Sequence, residues 1–150
     1  AAWAGAADPH DVEELFTRTF DLSPPCCPEV GWHLFGDTYK RGAFLVKLRV
    51  AVREHGVDPG TELPDHLAVV LRLLAKLTGS EDPRSLVEEV VLPALAKMIG
   101  CFPDGEVNPY HALLRVVSTV LAADFGVAAP VAARGNGTHH LPVFSPEIEP

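Results

Sequence analysis

Apolar residues recur at helical spacing along most of the chain, and the breaks between the periodic stretches carry cap and turn residues. In DPHDVEELFTRTF, Asp8 suits a cap, Pro9 suits the first helical position, and Val12, Leu15, Phe16, Thr19 and Phe20 share one face. The prolines of SPPCCPEVGWHLFG end that helix, and a short one is expected from Pro28 to Gly36. Asp37 is then placed to cap a helix through TYKRGAFLVKLRVAVREH, with Phe44, Leu45, Leu48, Ala51 and Val52 inward. His55 falls in its last turn, and Gly56 supplies the left-handed stop.

The pattern resumes in VDPGTELPDHLAVVLRLLAKL, where Pro64 fits the first turn and Asp65 complements the helix dipole. Leu67, Val70, Leu71, Leu74 and Leu77 form its apolar stripe. EDPRSLVEEVVLPALAKMIG repeats an Asp-Pro start, and Pro93 is expected to kink it, because the ring removes one hydrogen bond and collides with the preceding turn. NPYHALLRVVSTVLAADFG has Asn108 as cap and Pro109 at the first position, with Tyr110, Leu113, Leu114, Val117 and Leu121 inward. No strand alternation of useful length occurs. The pattern predicts an all-α, compact bundle of about five or six helices over 1–126, followed by an irregular Pro/Gly-rich tail over 127–150.

Composition narrows the classes of function. A chain of 150 residues is one domain in size, long enough to bury roughly 70% of its unfolded surface with no staple or metal. Its net charge of −8 argues against nucleic-acid binding by phosphate neutralisation. Acidic residues gather in 1–30 and 81–110, and 40–53 is basic with Lys40, Arg41, Lys47, Arg49 and Arg53. The apolar runs are too short to span a bilayer, so no membrane insertion is expected. The start, AAWAGAADPHD, lacks a basic region, an apolar core and Met, which reads as neither a signal peptide nor a natural start. An odd count of three cysteines fits a reducing cytoplasm better than a disulfide framework. Cys26 and Cys27 are adjacent, and neither Cys101 nor His139 with His140 belongs to a metal-ligand run, so the thiols read as buried or idle and no metal is expected.

The polar residues at helix ends, His33, Asp37, Arg41, Glu62, Asp65 and His66, suit either helix caps or a hydrolase or metal site. Asp65 and His66 are neighbours, and adjacent helical residues point about 100° apart, which is poor geometry for an acid/base pair. No phosphate loop, nucleophile elbow, zinc-protease helix or dinucleotide fingerprint is present.

Taken together and in order, TFDLSPPCC from Thr19, HLFGDTYKRG from His33, a basic amphipathic helix, and ELPDHL from Glu62 resemble the NarJ family of nitrate reductase assembly chaperones. This is the delta-subunit group within the TorD-like chaperones of molybdenum enzymes. The likeness spans about Leu15 to Leu77, half of the chain. It departs at Ala68, where many relatives have a second proline, and before Asp8, where relatives usually carry further helices; a chain trimmed at its start is therefore expected.

The resemblance implies a helical, cytoplasmic, non-catalytic protein without a cofactor of its own, a monomer or weak dimer. Its partner would be the catalytic subunit of a molybdenum-containing oxidoreductase, bound through an N-terminal or twin-arginine signal segment before and during insertion of the molybdenum cofactor. Such a segment needs an apolar floor and a carboxylate rim. Leu, Val and Phe of the helices starting at Thr38 and Pro64 would make the floor, Asp37, Glu62 and Asp65 would pair with client Arg or Lys, and Gly42 would admit another backbone. His33, Arg41 and His66 complete the expected client-binding set. The alternatives are a generic helical interaction module and, third, an acid/base hydrolase centred on His33 and His66.

Overall fold

The computed structural model describes residues 8–21, 26–77, 83–103, 105 and 107–128. Its helices are α1 (Pro9–Phe20), α2 (Val30–Phe35), α3 (Tyr39–Glu54), α4 (Leu67–Leu74), α5 (Pro83–Leu86), α6 (Leu92–Gly100) and α7 (Pro109–Asp124), with a π-helical segment, Val87–Val91, joining α5 to α6. Among the described residues there is no strand, only one isolated antiparallel bridge between Glu29 and His66. The chain is thus an all-α bundle, as its periodicity predicts. No helix among the described residues is long and apolar enough to cross a membrane. The tail expected from 127 lies, from 129 onward, outside the described residues, as does Asp82.

Helix ends follow local chemistry, with three corrections to the sequence reading. Asp8 accepts from the His10 amide at 2.9 Å and Asn108 from the Tyr110 amide at 2.9 Å, each just ahead of a proline at the first helical position. His55 closes α3 by donating from Nδ1 to the Ala51 carbonyl at 2.8 Å, and Gly56 turns away at φ +61°. Asp37, however, does not cap α3: Thr38 is the N-cap residue and its hydroxyl donates back to the Phe35 carbonyl at 2.9 Å. Pro64 and Asp65 likewise precede α4, whose N-cap is His66, with Nδ1 accepting from the Ala68 amide at 3.2 Å. The kink expected at Pro93 is taken up as the π-helical turn, in which the Leu92 amide reaches five residues back to the Val87 carbonyl. That wider turn comes directly before the ring that would otherwise collide with the preceding turn.

The π-helical segment and α6 form the centre. Leu86, Val87, Val90, Val91, Leu92, Ala94, Leu95, Ala96 and Met98 are buried over most of the circumference, and Glu88 marks the side left open to solvent. α2 and α7 pack against α6, α3 packs on α2, and α4 on α3. The crowding of α4 also buries Val69 and Leu73, outside the predicted stripe. On α7 the inward line is Leu114, Ser118 and Ala122; Leu113, expected inside, is 54% exposed. α1 is held to the start of α7 by Asn108 Nδ2 donating to the buried Thr19 hydroxyl at 3.1 Å, and by Phe16, Phe20 and Tyr110 rings with centroids 5.0–5.8 Å apart.

The ELPDHL stretch is fixed by main-chain pairing with the start of α2. The Val30 amide donates to the Asp65 carbonyl at 2.8 Å, and the Leu67 amide to the Pro28 carbonyl at 2.9 Å. This pairing sends the Asp65 side chain inward, fully buried, where Oδ2 accepts from Arg41 Nε of α3 at 3.1 Å. Gly31 provides the room, since a Cβ there would lie 2.6 Å from Asp65 Oδ2 and 3.0 Å from the Phe44 ring. One carboxylate therefore ties together α2, α3 and the loop before α4.

Gly31→Ala is expected to lower the unfolding free energy by about 1–3 kcal/mol, measured by urea titration, because neither the buried carboxylate nor the Phe44 ring has space to yield. Burial pushes the Asp65 carboxyl up from its ordinary 3.8, against the opposing pull of the Arg41 guanidinium. The folded chain thus holds this proton more tightly than the unfolded chain. Its contribution to stability rises as pH falls from above the raised value toward 3.8 and is lost again as pH climbs through that window. Unfolding free energies of wild type and Asp65→Asn across the acid range should differ by a term with this sign.

Candidate functional site

A cleft of about 590 Å³ opens where α2, the first turn of α3, the loop before α4 and the end of α6 meet, lined by Cys27, Glu29, Trp32, His33, Arg41, Leu63 and Cys101. Its two most exposed apolar walls are Trp32, at 45%, and Leu63, at 46%. α2 is only six residues long and cannot be stable alone. Its burial of Val30, Leu34 and Phe35, together with the main-chain pairing to Asp65 and Pro28, sets the angle at which Trp32 faces solvent. The Arg41 guanidinium lies 5.6 Å from the centre of the Trp32 ring while also binding Asp65, so two contacts hold it.

The expected residues divide into two groups. His33 and Arg41 line the cleft, with Asp65 buried behind Arg41. Asp37, Gly42 and Glu62 are exposed on the outer surface, and half-buried His66 caps α4. Asp65 has no exposed surface, and its Oδ1 has no hydrogen-bond partner, so its role in the structure is to hold Arg41. The apolar residues expected to floor a groove, among them Phe44, Leu48, Val69 and Val70, lie instead in the core. A Cβ on Gly42 would meet nothing within 4 Å, so no close approach inside the chain demands that glycine.

His33 is the most heavily contacted of the expected residues. Its carbonyl accepts from Lys97 Nζ of α6 at 2.8 Å, and its Nε2 lies 2.8 Å from the Cys27 carbonyl, 3.5 Å from Cys27 Sγ and 4.0 Å from Cys26 Sγ. Burial opposes a charge on this ring, but hydrogen bonds with Cys101, with the Cys27 thiol and with the Cys27 carbonyl prevail and lift it to about 10. The Cys26 thiol and then the same imidazole pull Cys101 down, against its own burial, and the Cys101 thiol donates to the Lys97 carbonyl at 3.2 Å. The thiols that look unrelated in sequence therefore meet around one histidine. Among the described residues, no group of three or more His, Cys, Asp or Glu is arranged to hold a metal ion.

Trp32, Leu63 and Glu29 were not singled out by sequence, and Cys101, read there as buried or idle, is half-buried and lines the cleft. Trp32 and Leu63 sit directly beside motif residues, and a large apolar side chain next to a polar cluster was the available signal. Cys101 has no local signal, since only the packing of α6 on α2 brings it to His33. A second, larger groove of about 980 Å³ runs along α1 and α7 past Leu15, Val107, Val116 and Val120, and contains none of the expected residues.

The family model described as nitrate reductase delta subunit matches residues 1–100, which include every residue lining the smaller cleft except Cys101. Two curated relatives are named nitrate reductase molybdenum cofactor assembly chaperone NarJ, from Escherichia coli strain K12 and from Escherichia coli O157:H7. Each is 28% identical over 121 residues, covering 78% of this chain and 50% of the relative. The chain thus spans about half the length of the curated relatives it matches. No solved structure matches. With two thirds of its length matched by that model, the chain belongs to the nitrate reductase delta subunit family.

Proposed function

We propose that this chain is a cytoplasmic, non-catalytic assembly chaperone for a nitrate-reductase-like molybdenum enzyme, binding the N-terminal segment of the cofactor-free catalytic subunit and holding it while the molybdenum cofactor is inserted. The observation that carries this reading is the cleft itself: Trp32 and Leu63 stand 45% and 46% exposed on rigidly held backbone, within the stretch that the family model matches. An aromatic anchor of that kind favours an apolar side chain of an incoming peptide at little entropic cost. Glu29 lines the same cleft and Glu62 adjoins Leu63, so carboxylates are available to basic residues of the client. Arg41 repels such a segment less than a free guanidinium would, because Asp65 balances its charge.

Gly42 supports the same reading. A glycine inside a helix costs about 1 kcal/mol relative to alanine, and nothing within 4 Å of its missing Cβ explains that cost from inside the molecule. A second backbone lying against the exposed start of α3 does. Asp37 and Glu62, both exposed, complete the proposed rim. Asp65 and His66 act one step back, Asp65 by holding Arg41 and His66 by starting α4. Preference for the empty client gives the chaperone its direction, because a binder shifts an equilibrium only by its difference in affinity between two states.

Calorimetry with a synthetic N-terminal peptide of the client catalytic subunit tests the anchor. Trp32→Ala is expected to weaken binding at least tenfold, in the range of an interface hot spot of about 2 kcal/mol, with a smaller loss of stability from the lost Arg41 contact, read beside it as the melting temperature. Joint replacement Asp37→Asn and Glu62→Gln is expected to weaken binding less and to flatten its dependence on salt. Full affinity in Trp32→Ala would remove the cleft from the reading. Equal affinity for cofactor-free and cofactor-loaded catalytic subunit would remove the assembly role.

A further inference from the structure

The outer side of α7 carries exposed apolar side chains. Val116 and Val120 are 57% and 50% exposed, and Val107, just ahead of the helix, is 98% exposed. The two helical valines are four residues apart and so share a face, and with Leu15 and Arg18 of α1 and Arg115 of α7 they line the groove of about 980 Å³. Most of this groove follows the stretch that the family model matches, and it shares no residue with the cleft around Trp32. Its charge is one-sided: two guanidiniums line it and no carboxylate does, although the whole chain carries −8. A contiguous apolar face rimmed by one sign of charge marks a contact surface.

We propose that this groove takes a segment of the same chain, residues 141–149, which returns along α7 with Leu141, Val143 and Phe144 on Val120 and Val116 and with Glu147 and Glu149 paired to Arg115 and Arg18. Composition supports the pairing. The segment, LPVFSPEIE, holds four apolar side chains and two carboxylates and no base, the complement of what the groove offers. Reach supports it as well. The point of departure is fixed: the Arg84 guanidinium donates to the Phe125 carbonyl at 2.7 Å, Gly126 turns at φ +60°, and the Val127 amide donates to the Ala122 carbonyl at 2.9 Å. From there, residues 129–140 can extend to about 40 Å, whereas the 16 residues of α7 cover about 24 Å.

The order of the two surfaces also agrees. A segment returning from the end of α7 meets Val120 and Val116 first, then Arg115, and last the end of α1, where Arg18 precedes the Thr19 that is bonded to Asn108. Along the segment the apolar residues likewise come first and the glutamates after them. A second copy of the groove is a poorer occupant, because a twofold pairing would set Arg18 and Arg115 of one copy against the same two residues of the other, with no carboxylate between them. The segment supplies those carboxylates. It is also tethered beside the groove, so a contact too weak to form between separate molecules is favoured within one. Docked in this way it covers the apolar face of α7 and leaves the cleft around Trp32 open, since the two sites share no residue.

The test uses the full chain and no client, so its outcome is independent of the proposed assembly role. Phe144 is replaced by the photoreactive p-benzoylphenylalanine, and the protein is irradiated at low concentration, digested and mapped by mass spectrometry. Crosslinks are expected inside a single chain, to α7 between Ala112 and Val120 or to α1 near Leu15. Arg18→Glu with Arg115→Glu should lower their yield, and adding Glu147→Lys with Glu149→Lys should restore it, a rescue that a misfolded chain would not give. In protein without the photoreactive group, chymotrypsin should cut after Phe144 at least about fivefold faster in Val116→Asp with Val120→Asp than in wild type, because cleavage follows the undocked fraction. Both valines are exposed, so the helical circular dichroism of that variant should match wild type. Crosslinks confined to other parts of the chain, crosslinks that join two chains, or equal cutting in the two proteins overturns the proposal.

Discussion

The arrangement around the cleft depends on one buried carboxylate. Asp65 reaches the interior because its backbone pairs with Val30, and it stays there because Arg41 supplies the opposite charge and Gly31 leaves the volume empty. A buried ion pair is a weak source of net stability, since desolvation cancels most of the attraction, but it is a strong constraint on arrangement, because removing one partner strands the other. Here the constraint joins three segments that are distant in sequence. The unpaired Oδ1 shows how far the arrangement departs from maximal stability: one oxygen is satisfied, and the other bears the cost of burial. The proton that the raised carboxyl takes up belongs on that free oxygen, since Oδ2 already accepts from Arg41.

From that fixed point the rest of the site follows. The antiparallel bridge at Glu29 and His66 sets the start of both α2 and α4, so the two helices leave the same anchor. α2 then lays Leu34 and Phe35 into the core and leaves Trp32 and His33 on the cleft side. Arg41, held from below by Asp65, meets the indole from above. Lys97 completes the enclosure by binding the His33 carbonyl from the central helix, a contact whose desolvation lowers the ammonium's own affinity for its proton. A six-residue helix with no side-chain cap is thereby held in place by groups from α3, α6 and the loop before α4.

Helical periodicity and proline punctuation made the fold legible, because both act within a few residues. Asp8 with Pro9, Asn108 with Pro109, and His55 with Gly56 behave as local chemistry requires. The misplacements arise where long-range contacts take over. Asp37 and Asp65 are good cap residues by type, yet the caps fall to Thr38 and His66, since the pairing of Asp65 with Val30 begins α4 later. Leu113 reads as core because it fits the stripe, but α7 packs mainly on α6, and the narrow inward line is completed by Ser118 and Ala122. For the site, the sequence could mark His33, Asp37, Arg41, Gly42, Glu62, Asp65 and His66 together but could not separate the buried strut, Asp65, from exposed residues such as Asp37 and Glu62. That distinction rests on which way the loop before α4 faces.

Around the cleft, the side chains that fix the backbone and those that face solvent are therefore different sets. Gly31, Arg41 and Asp65 are constrained by volume, charge balance and backbone pairing. Trp32 and Leu63 lie between them and are not required to close the core, so their chemistry is free to match whatever the cleft receives. A recognition surface built this way can change its specificity at the exposed positions while the underlying carboxylate and guanidinium keep the backbone fixed. The division also accounts for the polar residues of these stretches: Arg41 and Asp65 hold helices in place, whereas Asp37 and Glu62 remain at the surface, and the proposed contact with a client draws on that rim together with Trp32 and Leu63.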